Sequence, residues 1–316
     1  MKRIANTELD VFPLCLGGNV FGWTADREQS FAVLDAFAAA GGNFFDTSDV
    51  YWKFSPGNKG GESETIIGEW MHTRGCRDRM VVSTKIGAAD GMTGGLSAQR
   101  IRRNTEASMR RLQVDVIDLL YAHVDDTETP LTETLGAFDE LVRAGKVRYI
   151  GASRYPTERL AQALEISDRE GFTRYVATQP LYSLVERGYE QDVAPLLERT
   201  GLASMPYYSL AAGFLTGKYR PGVEVSSARA HGPRPGGAMS YLDARGVRVL
   251  DALDEVSAAH TTTVAAVALA WLMAQPTVTA PIASARNVAQ LQGILPAAEL
   301  TLSEQELQLL SAASAQ

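Results

Sequence analysis

Eight short apolar runs, each of strand length, recur along the chain with amphipathic stretches between them. They are LCLGG (14–18), NFFD (43–46), MVVSTK (80–85), VIDLLYAH (116–123), VRYIGAS (147–153), YVATQ (175–179), LASMPYY (202–208) and TVTAPI (277–282). They are apolar and rich in β-branched or aromatic residues, as strands buried on both faces are. Between them, EQSFAVLDAFAAAG (28–41) carries apolar residues at helical spacing and ends in glycines. LSAQRIRRNTEASMRRLQ (96–113) sets Ile101, Met109 and Leu112 against an arginine-rich outer face. Strand alternating with helix eight times predicts an α/β fold, a parallel (β/α)8 barrel. The competing architecture is an open, doubly wound sheet, which needs a GxGxxG fingerprint at its first crossover. CLGGNVFG (15–22) does not supply it. Ahead of the barrel, IANTEL and VFPLCLG read as a β-hairpin turning near Asn6–Glu8.

A length of 316 residues suits a barrel of this class as one unit, and no linker or longer repeat divides it, so residues 1–316 read as one domain. The net charge of −7 gives no support for a nucleic-acid or membrane surface. No run approaches the roughly 20 apolar residues that span a bilayer, and MKRIANTELD lacks the apolar core of a signal peptide. Cys15 and Cys76 form no CxxC pair, which fits a reduced, cytoplasmic protein. The four histidines, at 72, 123, 231 and 260, show no metal-ligand spacing. From about Ala211 to Arg245 the chain is rich in Gly, Pro and Ser, including SSARAHGPRPGGAMSY, and reads as a long loop after the seventh strand.

Asp46, Lys85 and His123 each close an apolar run, and Tyr51 follows Asp46 by five residues. Strand ends of one sense gather at the C-terminal rim of a barrel, where active sites of this fold lie. A free tyrosine has a pKa of roughly 10, and a neighbouring ammonium lowers it by stabilising the phenolate. Asp46 would keep Lys85 charged, and a neutral His123 would orient a carbonyl oxygen. Such a group protonates a carbonyl oxygen while something attacks the carbon. With no activated Ser or Cys nucleophile evident, the attacking group is expected to be a hydride from a cofactor. Taken singly, Asp46 reads equally as a turn former, Tyr51 as a packed aromatic and His123 as a core histidine.

The segments NFFDTSDVY (43–51), MVVSTKIG (80–87) and DVIDLLYAHVDD (115–126) resemble the aldo-keto reductase superfamily. The likeness continues in order through GESETIIGEW (61–70), RAGKVRYIGAS (143–153), QPLYSL (179–184), GFLTGKY (213–219) and PIASARNVAQL (281–291). It implies an NADPH-dependent reductase of aldehydes or ketones, with NADH as the other cofactor, and a tetrad of Asp46, Tyr51, Lys85 and His123. It implies a hairpin that plugs the barrel bottom and a loop after strand seven that covers the cofactor. Ser153 and Gln179 would bind the nicotinamide carboxamide. Tyr207, or its neighbour Tyr208, would stack on the ring. Arg154, Ser209, Leu210, Gly213 and Lys218 fall in the same cofactor-contacting strings. Ser284, Arg286 and Gln290 would hold the adenosine phosphate, Arg286 with a bidentate grip. Arg154 and Ile294 stand where the family often has asparagine.

Trp23, Trp52, Phe54 and Val124 are expected to line the substrate pocket, which suits a small aromatic or sugar-like carbonyl compound. Glu62, Ser63 and Glu64 read as helix-start capping residues. The superfamily includes potassium-channel β subunits, so a cofactor-binding regulatory or redox-sensing subunit with little turnover is the alternative. A hydrolase built on Asp46 and Asp49 would leave Tyr51 and Lys85 unexplained. Oligomeric state is not legible in the residues.

Overall fold

A computed structural model describes residues 1–88, 95–226, 230–231 and 237–315. Strands β1 (Lys2–Arg3) and β2 (Asp10–Val11) pair antiparallel as the expected hairpin. Its pairing lies further out than the sequence suggested, because residues 4–9 form the turn itself. Thr7 Oγ1 donates to Ile4 O and accepts from Leu9 N–H, closing that turn from within.

Eight parallel strands follow: β3 (Cys15–Gly17), β4 (Phe44–Asp46), β5 (Val81–Ile86), β6 (Ile117–Ala122), β7 (Val147–Ser153), β8 (Tyr175–Gln179), β9 (Ala203–Ser204) and β10 (Ile282–Ala283). They bond in the order β10-β3-β4-β5-β6-β7-β8-β9. Ser204 N–H donates to Thr277 O and Thr279 N–H donates to Ser204 O, so β9 meets the approach to β10 and the sheet closes. Closure removes the free edges that an open, doubly wound sheet would keep. The eighth run forms strand only at its end, since residues 277–280 meet β9 through a single bridge at Val278.

Helices α1 (Arg27–Ala39), α2 (Glu62–Arg74), α3 (Ala98–Leu112), α4 (Leu131–Arg143), α5 (Thr157–Glu170), α6 (Tyr189–Asp192) and α7 (Ala194–Thr200) come between the strands. After β9 come α8 (Ala244–Ala259) and α9 (Val264–Met273), and after β10 come α10 (Val288–Ile294) and α11 (Glu304–Ala313). The start of α1 is fixed by a capping box, in which Asp26 accepts from Gln29 N–H and Gln29 accepts from Asp26 N–H. Among the described residues no single helix is long and apolar enough to cross a membrane.

Alternate residues of each strand face inward. Phe44, Val81, Leu119, Tyr121, Ala177, Ala203, Met205 and Ala280 form the barrel interior, and Ile4, Leu9 and Val11 of the hairpin pack into the same cluster, plugging the bottom. Gly151 is required here, because a Cβ on it would lie 2.5 Å from the Tyr121 ring.

Among the described residues after β9, short helical turns and buried aromatics occur where a plain loop is expected. Residues Ala238–Tyr241 are 3-10 helical, Ala211–Thr216 forms tight turns broken by a kink at Ala212 and Gly213 (φ 55° and 93°), and Phe214, Leu215, Tyr219 and Tyr241 are buried. Tyr241 OH donates to Glu186 Oε1 at 2.7 Å. Residues 227–229 and 232–236 of the glycine- and proline-rich string lie outside the described residues. Phe44→Ala should lower unfolding free energy by about 3–5 kcal/mol in urea titration; an unchanged midpoint would contradict its inward position.

Candidate active site

The inward alternation that buries Phe44, Val81 and Leu119 brings Asp46, Lys85 and His123 to one rim. Asp46 is 1% exposed and Lys85 3% exposed. Lys85 Nζ donates to Asp46 Oδ2 at 2.6 Å, to Thr47 O at 2.7 Å and to Tyr51 OH at 2.7 Å, so all three ammonium protons are used. Asp46 also accepts from Ser83 Oγ at 2.8 Å, Gln179 Nε2 at 2.7 Å and Tyr51 OH at 3.2 Å. The Tyr51 and His123 rings stand edge to face, 6.2 Å apart. The four expected tetrad residues are therefore together.

Their protonation departs from the sequence expectation at Tyr51. Burial, the Asp46 charge and the hydrogen bond to Asp46 push the phenol well above its usual range. The lysine beside it does not make Tyr51 an acidic phenol in this state; it stays protonated. Burial likewise pulls Lys85 down, against the opposing pull of Asp46. Burial, then the cations of Lys85 and Arg154, hold His123 well below its usual value, so its imidazole is neutral.

Gln179 Oε1 and Tyr121 OH are buried without a hydrogen-bond partner. The Gln179 amide, which donates to Asp46 through Nε2, lies against the Tyr121 hydroxyl in the barrel interior. Ser153 Oγ donates to Gln179 O at 3.2 Å, tying β7 to β8. The Arg154 guanidinium lies over the Tyr207 ring, 5.2 Å from its centroid, with Arg154 at φ +56°. Tyr207 and Tyr208 meet edge to face at 5.7 Å. Ser209 is buried, donating to Pro206 O at 2.9 Å, while Leu210 and Gly213 are partly buried and Lys218 is exposed over Tyr219. At β10, Ser284 Oγ donates to Asn19 Oδ1 at 2.7 Å. Arg286 and Gln290 are exposed, the Gln290 side chain accepting from Arg286 N–H at 3.0 Å.

Trp23 and Trp52 stack with centroids 3.4 Å apart, and Val124 is buried beside His123. Phe54 does not join that aromatic wall: it is 74% exposed, with the Lys53 ammonium 5.5 Å from its ring.

The reading of Glu62, Ser63 and Glu64 as caps is corrected, because the N-cap of α2 is Gly61 and no side chain caps it. Glu62 accepts from Lys59 and Gly60 N–H in the turn ahead of α2. Ser63 instead donates to Gly18 O and accepts from Thr47 Oγ1, and Glu64 is fully buried between Thr84 Oγ1 and Arg111. Sequence reasoning also missed Ser48, Ser83 and Asn19. Ser83 carried a usable signal, standing two residues before Lys85 and so on the same strand face.

Asp49 forms no carboxylate dyad with Asp46, whose oxygens are committed to Lys85 and its neighbours. Burial, then the Glu64 charge, push Asp49 up to about 7. The folded chain keeps that proton after the unfolded chain loses it near pH ~4. Its contribution to stability is thus full below about pH 4 and is lost as pH rises towards 7, at up to about 1.4 kcal/mol per pH unit. Asp49→Asn should flatten that fall when urea unfolding is compared at pH 5 and pH 8; parallel pH profiles for the two proteins would contradict it.

The sequence pattern of the Aldo/keto reductase family matches residues 13–315. An uncharacterized oxidoreductase of Bacillus subtilis is 35% identical, over 98% of this chain and 94% of its own length. A norsolorinic acid reductase of Emericella nidulans is 33% identical, over 94% of this chain and 76% of its own. An aryl-alcohol dehydrogenase of Pestalotiopsis microspora is 30% identical, over 94% of this chain and 77% of its own. The chain belongs to the Aldo/keto reductase family and is an NAD(P)H-dependent oxidoreductase.

Proposed function

We propose that this protein reduces an aromatic aldehyde or ketone to its alcohol, with NADPH preferred to NADH and Tyr51 as the proton donor. The observation that carries this reading is Lys85 Nζ lying 2.7 Å from a Tyr51 hydroxyl that itself donates to Asp46. The cofactor, when bound, supplies a hydride to the carbonyl carbon. Tyr51 holds its proton firmly in the resting site and has Lys85 beside it to stabilise the phenolate left behind. Neutral His123 can donate a hydrogen bond to the carbonyl oxygen without competing as an acid. Asp46 holds Lys85 in register rather than touching substrate.

For the cofactor, Gln179 and Ser153 are assigned to the carboxamide by the family likeness. Tyr207, whose ring also carries the Arg154 guanidinium, would stack on the nicotinamide, and Arg154, Ser209, Leu210, Gly213 and Lys218 are assigned to the cofactor by the same likeness. Ser284, Arg286 and Gln290 take the adenosine end, where Arg286 can grip a 2′-phosphate as a fork. The stacked Trp23–Trp52 pair supports a ring-bearing substrate. The names of the norsolorinic acid reductases and the aryl-alcohol dehydrogenase point the same way. Residues 1–316 act as one unit, and the free thiols of Cys15 and Cys76 suit a reducing cytoplasm.

The test is NADPH consumption with a panel of aromatic aldehydes and ketones beside keto sugars. Tyr51→Phe should lower turnover by about 10²–10⁴-fold and leave NADPH affinity unchanged; wild-type turnover in that variant refutes the proton-donor role. Tight NADPH binding with no turnover on any carbonyl would favour a regulatory cofactor-binding subunit instead. Arg286→Ala should weaken NADPH by about tenfold, the scale of one charged hydrogen bond, and leave NADH binding nearly unchanged. Equal loss for both cofactors in titration calorimetry would refute the 2′-phosphate contact.

A further inference from the structure

We propose that Ser48 is a positioning residue that fixes the tautomer of His123, holding the imidazole proton on Nε2. This rests on the carbonyl-orienting role given to His123 above. Ser48 Oγ lies 3.0 Å from His123 Nδ1, and both residues are buried. Ser48 sits in the turn between Asp46 and Tyr51. His123 follows β6, with its backbone N–H donating to Ile86 O at 2.8 Å. Neither partner is free to drift from the other.

A neutral imidazole has one donor nitrogen and one acceptor nitrogen, and its surroundings choose which is which. The Ser48 hydroxyl has a single proton to give. Its other acceptors, Asp49 Oδ1 at 3.4 Å and Lys85 O at 3.5 Å, lie at the limit of hydrogen bonding. Val50 N–H approaches the same oxygen at 3.4 Å, an equally weak contact. The short contact to Nδ1 is therefore where that proton goes. With Nδ1 accepting, the ring proton resides on Nε2, the nitrogen on the far side of the ring from Ser48. That tautomer presents an N–H to a carbonyl oxygen, whereas the other presents a lone pair that repels it. A substrate oxygen would then meet His123 Nε2–H beside a Tyr51 hydroxyl that turns its one proton from Asp46 to that oxygen.

The test is 15N NMR of histidine-labelled protein, with the His123 signals among the four histidines assigned by His123→Gln. Between pH 6 and 8, wild-type His123 should show a pyridine-type Nδ1 and a pyrrole-type Nε2. Ser48→Ala should move both signals towards a tautomer mixture. It should also lower kcat/KM for the carbonyl substrate by about tenfold, the effect of one lost hydrogen bond, with NADPH affinity unchanged. A pyrrole-type Nδ1 in the wild type overturns the proposal, and this reading holds even if the alanine variant fails to fold. Unchanged His123 signals in a folded Ser48→Ala protein overturn it too. Absence of any wild-type reductase turnover would refute the functional reading instead, and leaves the NMR result standing on its own.

Discussion

Asp46 and Lys85 place a carboxylate and an ammonium 2.6 Å apart where water scarcely reaches, and the layout of the rim follows from satisfying them. Removing each ion from water costs several kcal/mol, which mutual attraction offsets only when the remaining lone pairs and protons also find partners. Asp46 therefore gathers donors from β5 (Ser83, Lys85), from β8 (Gln179) and from the following turn (Tyr51). Lys85 spends its remaining protons on Thr47 O and Tyr51 OH. Three strands and one turn are thereby tied at a point. The phenol stands beside the ammonium because the charges need it there.

A second buried carboxylate braces the surroundings. Glu64 on α2 accepts from Thr84 on β5 and from Arg111 on α3, while Ser63 bridges Thr47 and the Gly18 carbonyl. These contacts fasten the helix layer to the strand ends that carry the site. Next to Gly18, Asn19 receives Ser284, so the segment after β3 is coupled to the one after β10. Preorganisation of this kind keeps donors and acceptors aimed without reorganisation during a reaction.

Much of this was legible in the residues. Apolar runs of strand length with a polar residue at the end announce inward-facing groups at a rim, and Asp46, Lys85 and His123 each carry that mark. Ser83 carried it as well, one strand period before Lys85. Other parts had no local signal. Gln179 and Asp46 are 133 residues apart, and their hydrogen bond exists only because the barrel brings β8 and β4 to one interior. Glu64 stands near the start of a helix, where an acidic residue ordinarily serves the exposed N–H groups. Burial turned it to Arg111 and Thr84. Phe54 looked like pocket lining by its neighbours in sequence, yet the chain leaves it at the surface beside Lys53.

The spacing of apolar runs and their polar ends determined by itself that this chain forms a parallel barrel with ionisable groups at one rim, because side-chain alternation and strand direction are local properties. Tertiary structure decided how those groups behave. Whether Tyr51 is acidic, whether His123 is charged and that its Nδ1 is the nitrogen facing Ser48 depend on burial and on groups from distant segments. In a low-dielectric interior those influences reach across several ångströms and exceed what adjacent residues can fix.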